Sequence, residues 1–399
     1  MPVNTPSMPL AIPLARWADR QLRVLAEETG SPAIAALNGP AIVGERSSAG
    51  HFVISGRQSA GKGGGRILPT RDHGWFALTI LRDDDRLMLP ALLQDADLDV
   101  FDEAAIAEAI LQDDCSDLLA RGRALGLPVA SVDEVPQSPS AEVLAQGLHR
   151  PRESNHRPLV IDLSAIWAGP LAGHLLWLAG AEVVKIESPA RPDLIRIDDP
   201  ATYDVINQGK ANVALDLTVP KDRDALIALI RQADIVIESS RVRALRHLGV
   251  DGDALVREVP GLVWLTITGH GATGEAAHWA GIGHDCGVAG GLARELASVC
   301  GEPGYVGDAL ADPLTGITAA IAGWRAYRCG TATRIGFAMS AIVAQALSQE
   351  RGHDAAALEA ELLVWGAGMG RNFPKVARRA LLGEVSALGA DTAEWMARC

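Results

Sequence analysis

Aromatic side chains are scarce in this chain: 3 Tyr, 5 Phe and 9 Trp make up 4% of 399 residues. So few rings exclude the stacked aromatic platform on which single-stranded nucleic acids are bound. They leave Ala, Leu, Val and Ile to build the core, which suits close packing of helices on a sheet. Positive charge is also short. With 36 Lys and Arg against 49 Asp and Glu, the net charge is −13, which argues against nucleic acid or an anionic membrane as partner. A polyanionic ligand would need a local basic cluster working against that field. No apolar run reaches the ~18–20 residues of a membrane span. The opening Met1-Pro-Val-Asn-Thr-Pro6 has no basic start followed by an apolar stretch, so no secretory signal is expected. Cys115, Cys286, Cys300, Cys329 and Cys399 are scattered, odd in number and without a C-x-x-C pair. They indicate neither a disulfide framework nor a zinc site. These absences point to a soluble, cytoplasmic protein, long enough for about two to three domains.

What is present divides into two textures. Residues 1–150 open with a predicted helix over 14–28 and then become Gly-rich, with Gly56-Arg-Gln-Ser-Ala-Gly61-Lys-Gly63-Gly64-Gly65-Arg66. A strand is predicted over 75–81, and a helix-rich stretch over about 87–126. The segments 136–140 and 150–158, rich in Pro and Ser or charge, read as linkers. From residue 159 a βα alternation becomes regular, with strands predicted at 159–163, 182–187, 212–216, 234–238 and 262–267. Helices are predicted between them at about 170–179, 220–232 and 252–258. A helix over 313–327 and a strand-like stretch over 333–339 close this part, and the Ala-rich tail reads as helical. The order argues for an α/β fold with a doubly wound, mostly parallel sheet and a smaller N-terminal α+β domain. The expected division is 1–150, 151–345 and 346–399.

The first βα turn, Ala168-Gly169-Pro170, follows a strand directly but lacks the G-x-G-x-x-G fingerprint, so NAD is not the obvious ligand. The Gly-rich run nearly matches a P-loop, with Gly56, Gly61 and Lys62 at the right spacing. Gly63 stands where Ser or Thr should hold magnesium, and Gly63 to Gly65 would break the helix that must follow.

The whole stretch Asp162-Leu-Ser-Ala-Ile-Trp-Ala-Gly-Pro170, followed by Gly180-Ala-Glu-Val-Val-Lys-Ile-Glu187, resembles the opening of the class III coenzyme A transferases, the formyl-CoA and carnitine CoA-transferase type. Further strings resemble that family in order. They are Asn207-Gln-Gly-Lys210 with Val213-Ala-Leu-Asp-Leu217, Ala233-Asp-Ile-Val-Ile-Glu238, and Ile267-Thr-Gly-His-Gly-Ala-Thr-Gly274. The last matches an I-T-G-[FY]-G-x-T-G pattern, with His270 at the aromatic position. Gly61 to Gly65, followed by His73-Gly-Trp-Phe-Ala-Leu78, resembles the family's flap, a Gly-rich loop of the small domain that closes over the catalytic carboxylate. Glycine suits such a flap because it tolerates φ > 0 and close backbone approach. The family carries this segment after the nucleotide-binding half, and here it comes first. Leu125-Gly-Leu-Pro-Val-Ala-Ser-Val132 likewise resembles a late strand of the family. The chain therefore resembles a circularly permuted member.

The resemblance implies the site. Asp312-Pro-Leu-Thr-Gly316 has the D-x-x-x-G spacing of the family's nucleophile, and Pro313 suits the first helical position. The same residues would serve as a plain helix N-cap. Asp308 is the second candidate, without a glycine four residues on. Gly283-His284-Asp285 resembles a string of the related α-methylacyl-CoA racemases, which use a His and an Asp on opposite faces of the substrate α-carbon. Its continuation from Cys286 does not resemble theirs. The alternatives to a transferase are therefore a racemase or isomerase using His284, and a catalytically inactive CoA-binding homologue. CoA contacts are expected from Trp167, Ala168, Arg191, Arg196, Lys210, Arg241 and Arg243. By resemblance the substrates are an acyl-CoA and a small carboxylic acid, with no permanently bound cofactor and no metal. The resemblance also implies an interlocked homodimer.

Overall fold

The computed structural model describes residues 9–60, 64–153 and 156–398. The chain starts with helix α1 (Ala15–Thr29), whose buried Trp17, Leu22 and Leu25 belong to the same core as Trp167, Leu171 and Leu314. A small antiparallel sheet follows, β1 (Gly65–Pro69), β2 (Trp75–Thr79) and β3 (Val129–Ser131), in that spatial order. Helices α2 (Glu103–Leu111) and α3 (Cys115–Leu125) come between β2 and β3. Phe76, Leu78, Ile106, Ile110, Leu118 and Val129 form a separate core there. The Asp102 carboxylate caps α2 by accepting from the amides of Ala104 and Ala105, as a residue in that position should.

The large sheet has seven strands: β4 (Ala141–His149), β5 (Leu159–Asp162), β6 (Glu182–Glu187), β7 (Ala211–Ala214), β8 (Ile235–Glu238), β9 (Val263–Thr268) and β10 (Thr331–Ala338). Their order is β4-β10-β9-β8-β5-β6-β7. All neighbours are parallel except β4, which pairs antiparallel with β10. Strands run out from β5 in both directions, through β6 and β7 on one side and β8, β9 and β10 on the other. The crevice between β5 and β8 is thus a topological switch point, where such sheets bind ligands beyond the carboxyl ends of their strands.

Five crossover helices matter for the site: α4 (Ala168–Leu178), α5 (Pro220–Gln232), α6 (Gly252–Glu258), α7 (Gly283–Ala289) and α8 (Ala311–Cys329). Residues from α5 and α6 pack on one face of the sheet with Ile161, Val236 and Trp264. Residues from α1, α4, α8 and α9 (Met339–Gly366) pack on the other, with Val160, Ile237 and Leu265. The near-continuous apolar strands 159–162 and 235–237 fit a sheet covered on both sides. Helices α4 and α8 touch closely: a Cβ at Gly316 would stand 2.8 Å from the Ala168 carbonyl oxygen and 3.1 Å from Leu171 Cβ.

Two parts differ from the sequence reading. Residues 141–149 form an edge strand between the two predicted linkers. Val143 and Leu148 on it are exposed, so it lacks the buried alternation that betrays a strand. The helical tail extends only to Gly366; among the described residues beyond it, Thr392–Met396 is the next helix. The intervening chain gives its backbone hydrogen bonds to distant segments instead, with Phe373 donating to Phe52, Gly209 to Glu384 and Asp391 to Asn212. No described helix is long and apolar enough to cross a membrane.

Candidate active site

The loop after β5 is built on buried ion pairs. Asp162, at the end of the strand, accepts from Lys210 Nζ at 2.8 Å and from the Ser164 amide at 3.0 Å. Lys185 Nζ donates to the Ser164 carbonyl at 2.9 Å and to Asp193 at 3.0 Å. Asp193 in turn accepts from the Ile166 amide at 3.0 Å. Ile166 has φ = 72°, a left-handed conformation costly for a β-branched residue. That conformation is held by this network and delivers Trp167 and Ala168 to the start of α4.

Opposite them is Asp312, in the first turn of α8 and 8% exposed. Its carboxylate accepts from the Ala168 amide. Burial pushes its carboxyl up to about 7; Arg46 and the Ala168 amide pull the other way, while Asp308 and Asp285 add to the rise. Gly283 lies so close that a Cβ there would stand 1.9 Å from Asp312 Oδ2, so the carboxylate occupies the space a side chain would take.

Asp308, 1% exposed, stands one turn earlier. Arg46 reaches it at 3.2 Å and Asp199 at 3.5 Å. The Arg46 guanidinium also lies 5.9 Å from the Trp167 ring and 5.8 Å from Phe52, within cation–π range. His284 Nε2 lies 3.4 Å from Asp308 Oδ1, and its ring meets Tyr305 edge-on at 5.8 Å. A Cβ on Gly65 would come 2.7 Å from Tyr305 Oη. The described end of the Gly-rich run is therefore separated from the acid cluster by Tyr305 and His284. Gly61 and Gly63 lie outside the described residues; Gly64, with φ = 67°, and Gly65 lie within them.

Asp312, Asp308, His284, Trp167 and Ala168 thus come together, and the expected cations divide. Lys210 is buried, and its three donors are used by Asp162 at 2.8 Å, the Pro170 carbonyl at 2.8 Å and Asn207 at 3.0 Å. Burial pulls its ammonium down to about 8 against the attraction of Asp162. Arg196 bonds Glu187 at 2.5 Å and the Tyr203 hydroxyl. Burial works against the Glu187 charge, yet Arg196, Lys185, the Asp193 amide and Asn212 hold its carboxyl down at about 2. Both cations, expected as CoA contacts, are thus engaged by partners within the fold. Arg191, Arg241 and Arg243 are exposed on the loops after β6 and β8. Arg241 donates to the Gly126 carbonyl at 3.4 Å, and Arg243 lies 3.3 Å from His278 Nε2.

Sequence reasoning missed Arg46. It sits in Gly44-Glu-Arg-Ser-Ser48, a stretch with no motif, and only the packing of the N-terminal segment on α8 brings it to Asp308. Gly283 was visible as part of a string, but its close approach to Asp312 was not. The attack of a carboxylate on an activated carbonyl is within reach of this arrangement: a buried Asp, a cation near it, and a backbone amide aimed at it.

Residues 158–361 match the sequence model described as CoA-transferase family III. The chain is 34% identical over 171 residues to the succinate–glutarate CoA-transferase of Agrobacterium fabrum, over 40% of this chain and 43% of that protein. It is 30% identical over 177 residues to the succinyl-CoA:mesaconate CoA-transferase of Haloarcula hispanica, over 41% and 44% of the two. The chain thus spans less than half the length of these relatives. Among solved structures, a CAIB/BAIF family protein from Brucella suis is 29% identical with a TM-score of 0.45, over 50% of this chain and 57% of that one.

Proposed function

The chain belongs to CoA-transferase family III, and from that premise we propose that it moves coenzyme A from an acyl-CoA to a carboxylic acid, with Asp312 as nucleophile. The observation that carries this reading is the Asp312 carboxylate, buried at the head of α8 and bonded to the Ala168 amide beside the switch-point crevice. Raised to about 7, it is substantially ionised at neutral pH and more nucleophilic than an ordinary carboxylate.

In the proposed sequence, an Asp312 oxygen attacks the thioester carbonyl of the donor. The C–S bond breaks, giving a mixed anhydride and CoA thiolate. The thiolate then attacks the Asp312 carbonyl of the anhydride and releases the donor's carboxylate, leaving an aspartyl-CoA thioester. The acceptor carboxylate attacks that thioester, re-forming an anhydride and thiolate, and the thiolate attacks the acceptor's carbonyl to release the new acyl-CoA and free Asp312. The tetrahedral intermediates formed at the Asp312 carbonyl carry an oxyanion on an Asp312 oxygen, which the Ala168 amide that bonds this carboxylate would stabilise. Arg46 partly offsets the repulsion that Asp308 and Asp285 exert on the ionised nucleophile.

Arg191, Arg241 and Arg243 remain the candidates for the anionic part of CoA, on loops beyond the carboxyl ends of β6 and β8. The small sheet preceding the nucleotide-binding half supports the permuted order.

The second reading, an isomerase, is favoured by the placement of His284 against Asp308 at 3.4 Å. The experiment that separates the two is CoA exchange across a panel of acyl-CoAs and carboxylates in deuterated water. Exchange that needs a second acid and is lost in Asp312→Ala supports the transferase. Deuterium entering the α-carbon of a single acyl-CoA, lost in His284→Ala with CoA transfer intact in Asp312→Ala, overturns it.

A further inference from the structure

Behind Asp312, the turn after β9 meets the first turn of α7, and three donor atoms that the proposed chemistry does not use converge there. His270 Nε2 lies 3.5 Å from Asp285 Oδ2, Cys286 Sγ lies 3.8 Å from the same oxygen, and all three fall within 4.8 Å of one another. We propose that His270, Asp285 and Cys286 form a binding site for a zinc-class divalent cation, with solvent as fourth ligand.

Geometry supports it first. Tetrahedral zinc, with bonds of about 2.0–2.3 Å, sets its ligand atoms roughly 3.3–3.8 Å apart. Two edges of the triangle already have that length, and the His270–Cys286 edge is no longer than 4.8 Å. The mixed nitrogen, oxygen and sulfur donor set suits a borderline cation of that kind better than calcium or magnesium.

Burial and charge support it next. The three residues are 4%, 0% and 0% exposed, unlike the acidic clusters that decorate surfaces. His270 Nε2 is buried with no hydrogen-bond partner, a condition that asks for an explanation in a native interior. A carboxylate and a thiolate together neutralise a dication, so the loaded centre carries no net charge into the core. The Cys286 thiol, which donates to the Gly269 carbonyl at 3.4 Å, would give its proton to solvent on binding. Asp285 Oδ1 accepts from the Ile282 amide at 2.9 Å. That bond fixes the carboxylate and leaves Oδ2 turned toward the other two donors, the kind of outer-sphere support metal ligands receive.

Space and access complete the case. A Cβ at Gly281 would stand 2.8 Å from Cys286 Sγ and 3.0 Å from His270 Nε2, so glycine keeps side chains away from the cluster. His270 also lines a cavity of about 630 Å³ together with Glu134, Trp279 and Ser340, which would give solvent a route toward the open position. Two of the three ligands are places where this chain departs from the strings it resembles: His270 at an aromatic position, and Cys286 at the start of the broken continuation. A cation there would clip the β9 turn to α7, the helix whose Gly283 abuts Asp312.

The test is cobalt titration of the full-length protein, reduced and stripped with chelator. The expected result is one equivalent of Co²⁺ giving visible bands of a tetrahedral site and a near-ultraviolet thiolate-to-cobalt band, both erased by Zn²⁺. Cys286→Ser should abolish the near-ultraviolet band, His270→Gln should weaken binding by about tenfold or more, and Cys300→Ala should change neither. Zn²⁺ should raise Tm in the unaltered protein and lose that effect in His270→Gln, which decides the matter if Cys286→Ser fails to fold. Absence of stoichiometric Co²⁺ binding, or a thiolate band that persists in Cys286→Ser, would overturn the proposal.

Discussion

Replacing Asp312 by asparagine should stabilise the protein at alkaline pH while abolishing CoA transfer. The folded state holds the Asp312 proton up to about 7 against an ordinary value of 3.8, mainly because burial disfavours the charge. A carboxyl raised in this way binds its proton more tightly folded than unfolded, so between those two values the unfolded state binds fewer protons. Stability therefore falls as pH rises through that window, and levels off above pH 7. About three pH units at 1.36 kcal/mol each make the ionised group a burden of about 4 kcal/mol at pH 8. Asparagine has nearly the same shape and no charge. Its side-chain oxygen can still accept from the Ala168 amide, whose bond is already part of the Asp312 value, so a gain of up to about 4 kcal/mol is expected at pH 8. Near pH 4, where the native carboxyl is protonated, the two proteins should be nearly equal. Urea unfolding at pH 4, 6 and 8 measures this directly. A difference that does not grow with pH, or a less stable Asp312→Asn at pH 8, would refute the reasoning. A gain in stability coupled to loss of activity is the signature of a group strained for function.

Lys210→Met should cost about 3–5 kcal/mol, because it leaves Asp162 buried without its cation, and urea unfolding reads it; an unchanged midpoint with weakened CoA binding would return Lys210 to the ligand site. Arg46→Gln should move the acid limb of the kcat/KM–pH profile upward by about one unit or more, since an attractive charge beside Asp312 is lost; a stationary limb would show that Arg46 acts elsewhere. Arg241→Ala and Arg243→Ala should weaken CoA in calorimetry roughly 10- to 150-fold, if each makes a charge-assisted bond worth ~1.5–3 kcal/mol. Unchanged affinity in both would place the CoA phosphates elsewhere.

The strand-helix rhythm from residue 159 was legible because both faces of the sheet are covered, which makes its strands apolar throughout and its helices regular in spacing. Asp312 stood out as a candidate through its spacing to Gly316, and that spacing reflects a contact: glycine there lets α8 approach Ala168, the residue whose amide bonds the carboxylate. The partners of Lys210 were hidden for an equally physical reason. A lysine beside a strand end looks like a ligand contact until its partners are known, and Asp162 and Pro170 are distant in sequence. Arg46 shows the same blindness from the other side, since its partners Asp199 and Asp308 lie far along the chain. The edge strand 141–149 escaped because exposed positions carry little apolar signal. The end of the tail escaped because its backbone bonds are made to other segments.

The central claim is that the Asp312 side chain becomes covalently attached to CoA during turnover. Mass spectrometry of protein incubated with acyl-CoA without acceptor, then reduced with borohydride, tests it most directly. The account predicts an adduct on the peptide carrying residue 312 before reduction, an alcohol at that position after it, and neither in Asp312→Asn. Turnover with no adduct at residue 312, or an adduct on another carboxylate such as Asp308, would contradict it.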